Sequence, residues 1–413
     1  MGDDAALIVL AVLVVLALYA AVAHRVVRRH RHKAHKAHKK HKKHETHKLE
    51  HKQNRKKKEK RDRSESKSGS RSIGSKATGA VAARNVWCGA TWMADLTRCT
   101  AGSAKPFGQR TLQQMTIPGS HDSGTYSLSG VPAPGATTGS TFGDDMVSFA
   151  TTVHFPLSDI TTPWATAQTV NITKQLEAGV RFLDLRAAWD GIQWRVYHFV
   201  LGNNLVDLLQ QVAAFLQAHA GEVVVVEIGG IVPGFPPSAL ANLTDIITRT
   251  FGSLLWGPAG SFVPLDAMVA ANRRAIVLLD DNGSDPATFC GNGTAIWRMR
   301  TYLNNTYSGS DNVADLLTYA NAQAAAYRAS GPLQNPPRFS TMTWTHTPDT
   351  STIVEGELLF WEPDSLLAFE AAAIAQLPIW LAAQPPGPLS NVFMTDSSNT
   401  SPWQQLVAKC NTS

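Results

Sequence analysis

Six short apolar runs, separated by longer segments of mixed pattern, constrain the fold of this chain more than any other feature. The runs are LQQMTI (112–117), VRFLDLR (180–186), EVVVVEI (222–228), RAIVLLD (274–280), FSTMTWT (339–345) and NVFMTD (391–396). Segment 203–219 has apolar residues at three- and four-residue spacing, which predicts an amphipathic helix. Near-continuous apolar runs are typical of strands buried on both faces, and their alternation with helices predicts a parallel α/β sheet.

Polar residues cluster at the carboxyl ends of these runs. They are His121 and Asp122, Asp184 and Arg186, Glu227, Asp280, His346 and Asp396. Asp184 and Arg186 are two positions apart, so on a strand their side chains point to the same side. Because parallel barrels carry their chemistry at the carboxyl ends of the strands, the pattern predicts a functional site at that end.

The stretch TIPGSHDSGTY (116–126) places His121 and Asp122 among glycines and serines. Such neighbours predict a tight bend that lifts both side chains out of the sheet, although a plain turn with a local side-chain hydrogen bond is the alternative. A second histidine, His198, comes twelve residues after Arg186. Phosphodiester cleavage needs one imidazole to accept a proton from the attacking hydroxyl, another to protonate the leaving oxygen and a cation to balance the phosphate.

These residues resemble the X region of the phosphatidylinositol-specific phospholipases C. TIPGSHDSGTY, GVRFLDLRAAWDG and YH carry the resemblance, which extends from about Trp87 to Asp396 and is thin after EVVVVEI. It implies an irregular TIM-like (β/α) barrel that cleaves a phospholipid with an inositol-like head group through a cyclic phosphate. Position by position, it implies that His121 is the general base, His198 the general acid and Arg186 the phosphate ligand.

The resemblance also implies roles for three carboxylates. Asp122 would orient an imidazole, Asp184 would belong to the same cluster, and Asp396 would lie near the base histidine. Glu227 and His346 stand at strand ends and are predicted to bind substrate, with a buried structural role as the alternative for each.

The same positions predict that no metal and no other cofactor takes part. In the calcium-dependent branch of the family, Asn follows the first histidine and a Glu-x-Asp pair lies on the second strand, whereas this chain has Asp122, Asp184 and Arg186. It therefore resembles the metal-independent bacterial branch. It departs from that branch at Gly229, where a basic residue is expected, and at Asp280 and Asp281, which are acidic where a basic contact to inositol is expected. The identity of the head group therefore stays open.

Two other functions are alternatives to the phosphodiesterase. A catalytically inactive barrel, used as a membrane-tethered module that binds lipid or protein, would fit the altered inositol positions. A glycerophosphodiesterase would need an HRG-type metal motif, which the sequence lacks.

The first 23 residues predict a transmembrane anchor. Residues 5–23 are uncharged and nearly all apolar, about the length that spans a bilayer. A signal peptide is the alternative, but the chain begins with Asp3 and Asp4 rather than with a basic segment. The protein is thus predicted to be a single-pass membrane protein. The basic run after the span favours a cytoplasmic catalytic domain, while seven glycosylation sequons suit the opposite side.

Residues 24–80 predict a basic, low-complexity linker before a barrel domain at 81–413. Segment 24–67 has 20 Lys/Arg and 5 Asp/Glu, whereas the whole chain has a net charge of only +6, so the rest is acidic. A solvated linker is the simplest interpretation, and contact with anionic lipid head groups is the functional one. Metal capture by its nine histidines is a lesser option, and nucleic acid is not favoured because no aromatic residues interleave.

The four cysteines limit which metal sites and disulfides the chain can form. Cys88, Cys99, Cys290 and Cys410 form no CxxC pair, which argues against a zinc site and permits two disulfides.

Overall fold

A computed structural model describes the barrel domain with several gaps. The described residues are 88–102, 106–135, 157–258, 262–281, 295–331, 337–349, 352–353, 356 and 363–411. The predicted anchor, the predicted linker and Cys290 lie outside them.

Strands and helices alternate along the described chain. The strands are β1 Ile117–Ser120, β2 Leu128–Pro132, β3 Phe182–Trp189, β4 Trp194–His198, β5 Val200–Asn204, β6 Val224–Gly229, β7 Ala275–Leu279, β8 Trp297–Arg298, β9 Leu303–Asn304, β10 Phe339–Trp344 and β11 Val392–Thr395. The helices are α1 Trp92–Thr100, α2 Leu157–Ala165, α3 Ile172–Ala178, α4 Leu205–Ala218, α5 Pro237–Phe251, α6 Leu265–Ala270, α7 Met299–Tyr302, α8 Val313–Ser330, α9 Leu366–Ala383 and α10 Trp403–Asn411.

Eight of the described strands are parallel, in the order β8-β7-β6-β3-β1-β11-β10-β9. Within the described residues no ladder joins β8 to β9, so the barrel is irregular. An antiparallel extension, β4-β5-β2, grows from the second half of β3, where Ala187–Trp189 pair with β4. The predicted parallel α/β architecture is confirmed.

The predicted strands and the predicted helix are all present, but β3 runs three residues beyond the predicted 180–186, and the first strand differs most. Residues 112–117 were predicted as a strand, but Leu112–Gln114 form a 3-10 turn and β1 begins only at Ile117. The reason is local, because Thr111 and Gln114 form a reciprocal capping box that satisfies the backbone of the turn. The helix predicted over 203–219 is α4.

Alternate strand residues face two different apolar clusters. One cluster contains Phe182, Val225, Phe339 and Met394 and fills the interior of the barrel. The residues between them on the same strands pack against the surrounding helices. Because side chains alternate along a strand, every second residue onward from Phe182 stays on the interior face.

Helix α9 is, among the described residues, the one helix long and apolar enough to cross a membrane. Its hydropathy is 1.7 over 18 residues, and 33% of that window is buried inside the structure. Several of its side chains, among them Leu377 and Leu381, belong to the helix-facing cluster of the barrel. Length and composition alone are therefore weak grounds for a membrane span here.

The described cysteines carry free thiols. Cys88 and Cys99 are exposed, and Cys410 is buried.

Candidate active site

The bend predicted after the first strand is present at the carboxyl end of β1. Gly119 lies so close to β11 that a Cβ atom there would stand 2.8 Å from the Met394 side chain, closer than real Cβ contacts. His121 follows the strand and its backbone N–H donates to the Thr395 carbonyl at 3.1 Å. Asp122 has a φ of 44°, a left-handed conformation that turns the chain sharply.

The His121 ring is fixed on both edges. Its Nδ1 lies 2.8 Å from Asp396 Oδ1, and because a carboxylate only accepts, Nδ1 carries a proton. Its Nε2 lies 3.0 Å from Arg186 Nη2. Since a guanidinium only donates, Nε2 accepts this bond in the neutral ring. This is the tautomer that a general base needs.

Asp122 lies at the centre of the cluster. Its Oδ1 is 2.7 Å from Arg186 Nε, which makes an ion pair between a buried carboxylate and a half-buried arginine. Its Oδ2 is 3.4 Å from His121 Nε2 and 3.6 Å from His198 Nε2. One carboxylate oxygen therefore faces both imidazoles.

His198 approaches Asp122 from the antiparallel extension. It is the last residue of β4, and its Nδ1 donates to the Ala165 carbonyl at 2.8 Å. A carbonyl cannot donate, so Nδ1 holds a proton and Nε2 is the atom that faces the cluster. The His198 side chain is 28% exposed, against 10% for His121, so His198 lies nearer to solvent.

The charges in the cluster set its protonation. Burial alone would lower the pKa of His121, but the negative charges of Asp122 and Asp396 outweigh burial and raise that pKa to about 9. Burial would raise the pKa of Asp122, but Arg186 first and then the two histidines lower it to about 2. Asp122 is therefore ionised at all ordinary pH values.

Two further carboxyls have raised pKa values. Burial is the largest cause that raises the pKa of Asp184, and it raises the pKa of Glu227 well above its ordinary value, with the Asp184 charge adding to the effect. The two residues are directly paired across β3 and β6. Asp184 Oδ2 also accepts the Asp122 backbone N–H at 3.2 Å. The close approach of several carboxyls and their burial are thus the causes of the raised pKa values.

The interior face of the barrel explains which predicted residues meet. Asp184 and Arg186 follow Phe182 at two-residue steps, and Glu227 follows Val225, so all three side chains stand on the interior side. His121, Asp122, Asp396 and His198 join them at the same end. Their catalytic and binding roles are still predictions.

His346 does not join the residues around Asp122. It shares the side of β10 that carries Met342 and Trp344, which pack towards the helices. Its ring is buried, lies 4.0 Å from Glu370 Oε1 on α9 and packs against Phe369. His346 lies two residues beyond the end of β10, and burial lowers its pKa while the charges of Asp311 and Asp396 oppose that shift. A substrate contact by His346 stays a prediction.

Two residues that the sequence patterns did not single out hold His121 in place. The Gln168 amide donates to the backbone carbonyls of His121 and Thr395, and its oxygen accepts from Ser398. The Tyr307 ring packs edge-on against His121, with a centroid distance of 5.7 Å. Tyr307 follows a strand in NNTYSGS, and this position is only weak sequence evidence for a residue at the site. The sequence around Gln168 contains no pattern that would indicate such a role.

Within the described residues, one group of side chains has ligand atoms close enough together for a cation. The atoms belong to His121, Asp122 and Asp184 and lie within 4.8 Å of one another. The Arg186 guanidinium, ion-paired to Asp122, already stands among these ligand atoms. A fixed cation of this kind opposes a second one by repulsion.

Known proteins resemble this barrel in sequence and in fold. The mouse protein PI-PLC X domain-containing protein 1 is 30% identical over 178 residues, which are 42% of this chain and 50% of the mouse protein. The chain is a relative of the PI-PLC X-domain proteins. The variant-surface-glycoprotein phospholipase C of Trypanosoma cruzi is 28% identical over 222 residues, or 49% of this chain and 53% of that protein. The chain thus spans about half the length of these relatives, and no family model matches it.

The fold of this X-domain relative matches bacterial enzyme structures. The phosphatidylinositol-specific phospholipase C of Staphylococcus aureus superposes with a TM-score of 0.53 at 12% identity, covering 78% of this chain and 98% of that chain. The Listeria monocytogenes enzyme superposes with a TM-score of 0.50 at 15% identity, covering 78% and 97%. At these identities the likeness concerns the fold alone, which is the TIM-like barrel predicted above.

Proposed function

We propose that this protein is a phosphoric diester hydrolase that cleaves a phospholipid between its phosphate and its glycerol. The observation that carries the proposal is the position of two imidazoles, His121 and His198, against one carboxylate oxygen beside a half-buried arginine. The names of the relatives, which include phospholipases C, support the same class of substrate.

The first step is attack by a hydroxyl of the head group on the phosphorus atom. His121 Nε2 accepts the hydroxyl proton, and the new P–O bond closes a cyclic phosphate. The P–O bond to the glycerol breaks at the same time, and His198 Nε2 donates its proton to the departing diacylglycerol oxygen. The two imidazoles handle different protons, which is why the site needs both.

Arg186 balances the charge that builds on the phosphate oxygens. Its planar fork can bind a phosphate with two N–H groups while its Nε stays on Asp122. The ionised Asp122 also favours the imidazolium form of His121, which appears after the first step of the reaction.

The second step opens the cyclic phosphate with water. His198 then accepts the proton of the water, and His121 returns its proton to the head-group oxygen. Each histidine ends in the state in which it began, so the cycle closes. Metal independence, as in the bacterial-type branch, belongs to this proposal because Arg186 supplies the positive charge.

The test is turnover by the full-length chain on vesicles that contain phosphatidylinositol, with phosphatidylcholine vesicles for comparison. Release of a water-soluble phosphate, preceded by its cyclic form in ³¹P NMR, is the expected result. Binding to the vesicles without release of any phosphate would refute the proposal and favour the inactive, lipid-binding alternative.

A further inference from the structure

Backbone strain is concentrated at the candidate site. Four non-glycine residues among those described have a positive φ: Asp122 (44°), Phe199 (63°), Asn272 (52°) and Ser397 (48°). Three of the four directly follow His121, His198 and Asp396 along the chain. Such conformations persist only where the surrounding structure enforces them, and they are characteristic of functional sites.

Phe199 is the least expected of these residues. It alone forms the turn between β4 and β5, because His198 pairs with Val200 across it. A left-handed backbone normally selects glycine, asparagine or aspartate, and for a bulky residue it is a true outlier. Phenylalanine disfavours this backbone conformation. A contact of its side chain must therefore compensate for the strain.

The compensating contact is an apolar cluster beside the turn. The Phe199 side chain packs against a group of buried residues formed by Ile160, Trp164, Ala167, Ile353 and Leu366. Its carbonyl also accepts the Ala133 N–H at 2.9 Å. The side chain and the carbonyl of Phe199 are thus both held by residues outside the β4–β5 hairpin.

The same cluster adjoins the partner of the His198 ring. The carbonyl that accepts the His198 Nδ1–H belongs to Ala165, which lies between Trp164 and Ala167 of the cluster. One short segment, 164–167, therefore contributes two residues to the cluster that Phe199 packs against and also supplies the carbonyl that binds the imidazole next to it.

We propose that Phe199 is a positioning residue for His198. Packing of its side chain holds the strained turn, which keeps His198 Nδ1–H on Ala165 and points Nε2 at Asp122. The consequence for turnover rests on the proposed function. The consequence for the ring itself does not, because the tautomer of His198 is a property of the free protein.

The first measurement is the tautomer of neutral His198, read from ring nitrogen shifts in the ¹⁵N-histidine-labelled full-length chain and assigned with H198A. The wild-type ring is expected to carry its proton on Nδ1. F199G suits the positive φ but removes the side chain, so we expect the proton to move largely to Nε2, the usual tautomer of a free imidazole. F199L keeps an apolar side chain on the same strained backbone and should retain the Nδ1 proton.

Turnover on phosphatidylinositol vesicles gives the second measurement. For F199G we expect kcat to fall about tenfold or more with KM changed less than about twofold, because the lost function is proton donation. F199L should recover most of the rate. L366A, which thins the cluster without altering the turn, should shift the tautomer and kcat in the same direction as F199G but less.

A matched control separates this role from general stability. Phe251 is a buried phenylalanine at the end of α5, in a different cluster, so F251L should lower the melting temperature and leave the His198 tautomer unchanged. A wild-type tautomer in folded F199G, or an equal loss in F199L and F199G, would overturn the proposal. If wild type shows no turnover but the tautomer moves as expected, Phe199 keeps its positioning role and the proposed function fails.

Discussion

His121 and Asp396 are 275 positions apart in the chain, yet His121 Nδ1 donates to Asp396 Oδ1 at 2.8 Å. The sheet register explains the contact, because Ser120 pairs with Thr395 and the two site residues come directly afterwards on neighbouring strands. The pair is therefore a consequence of how β1 and β11 align. It also gives His121 one of the two carboxylates that raise its pKa, the other being Asp122.

The first prediction is that D396N weakens His121 as a base. The substitution removes a nearby negative charge, so the pKa of His121 should fall from about 9 towards its ordinary value. The rise of kcat/KM with pH should move to lower pH, and the maximal rate should drop roughly 10²- to 10⁴-fold. Activity profiles between pH 5 and pH 10 check the first effect. D245N, at an exposed carboxylate on α5, should leave the profile unchanged.

The second prediction separates the roles of the two histidines by the leaving group. Removal of either proton transfer should cost about 10²- to 10⁴-fold on a natural phospholipid. A nitrophenyl phosphodiester of inositol has a leaving group that departs without a proton, so H198A should keep most of its rate on that substrate, whereas H121A should not. H219A, at the end of α4, is the control. Equal losses for H121A and H198A on both substrates would contradict the assigned roles.

How far a site can be predicted depends on whether the signal is local. Asp184 and Arg186 share a face because of two-residue alternation, and that rule needs no knowledge of the rest of the fold. His121 and Asp122 were visible through the glycines and serines of their bend. The apolar runs also indicated where the strands lie, although β3 extends to Trp189 beyond the predicted 180–186, and at 112–114 a capping box overrides the apolar pattern.

Long-range contacts account for what the sequence did not predict. Which face of β10 points inward depends on its register with β11, and the ring of His346, two residues beyond β10, lies beside Glu370 of α9. Gln168 bonds to a carbonyl 227 positions away. The strain at Phe199 exists only because β4 pairs with β5 across a single residue. None of these features is indicated by a periodic pattern in the sequence.

The third prediction concerns stability and the buried Glu227. Its pKa is raised well above the ordinary value, so the folded state holds this proton more tightly than the unfolded state does. Wild-type stability should therefore decline as the pH rises above about 4.5 towards the folded-state pKa. E227Q mimics the protonated form and should escape that decline.

Melting curves at pH 4 and pH 8 test this expectation. We expect E227Q and wild type to melt alike at pH 4 and the variant to melt roughly 2–4 °C higher at pH 8. E177Q removes an exposed glutamate that pairs with Lys174 and should show no such pH-dependent gain. A larger gain for E227Q at pH 4 than at pH 8 would contradict the raised pKa.

The fourth prediction concerns the basic segment 24–67. A chain without its first 23 residues should bind anionic vesicles, and further deletion of 24–67 should weaken that binding because the remaining chain is net acidic. The difference should shrink as salt is raised from about 10 mM to about 1 M, since screening shortens the reach of the charges from about 30 Å to about 3 Å. Equal binding by both chains at low salt would leave a plain linker as the sufficient interpretation.

The fifth prediction is that turnover needs no divalent metal and depends on the shape of the Arg186 side chain. Arg186 Nε is held 2.7 Å from Asp122 Oδ1, and Nη2 lies 3.0 Å from His121, so the guanidinium bridges a carboxylate and the base. A lysine ammonium is a point charge and cannot make both contacts together with a two-pronged contact to phosphate. R186K should therefore lose about 10²-fold or more in kcat, while R249K, at an exposed ion pair, should lose nothing.

Exhaustive chelation should leave wild-type activity intact. Activity lost on chelation and restored by calcium would instead assign His121, Asp122 and Asp184 to a metal site and remove the role given to Arg186.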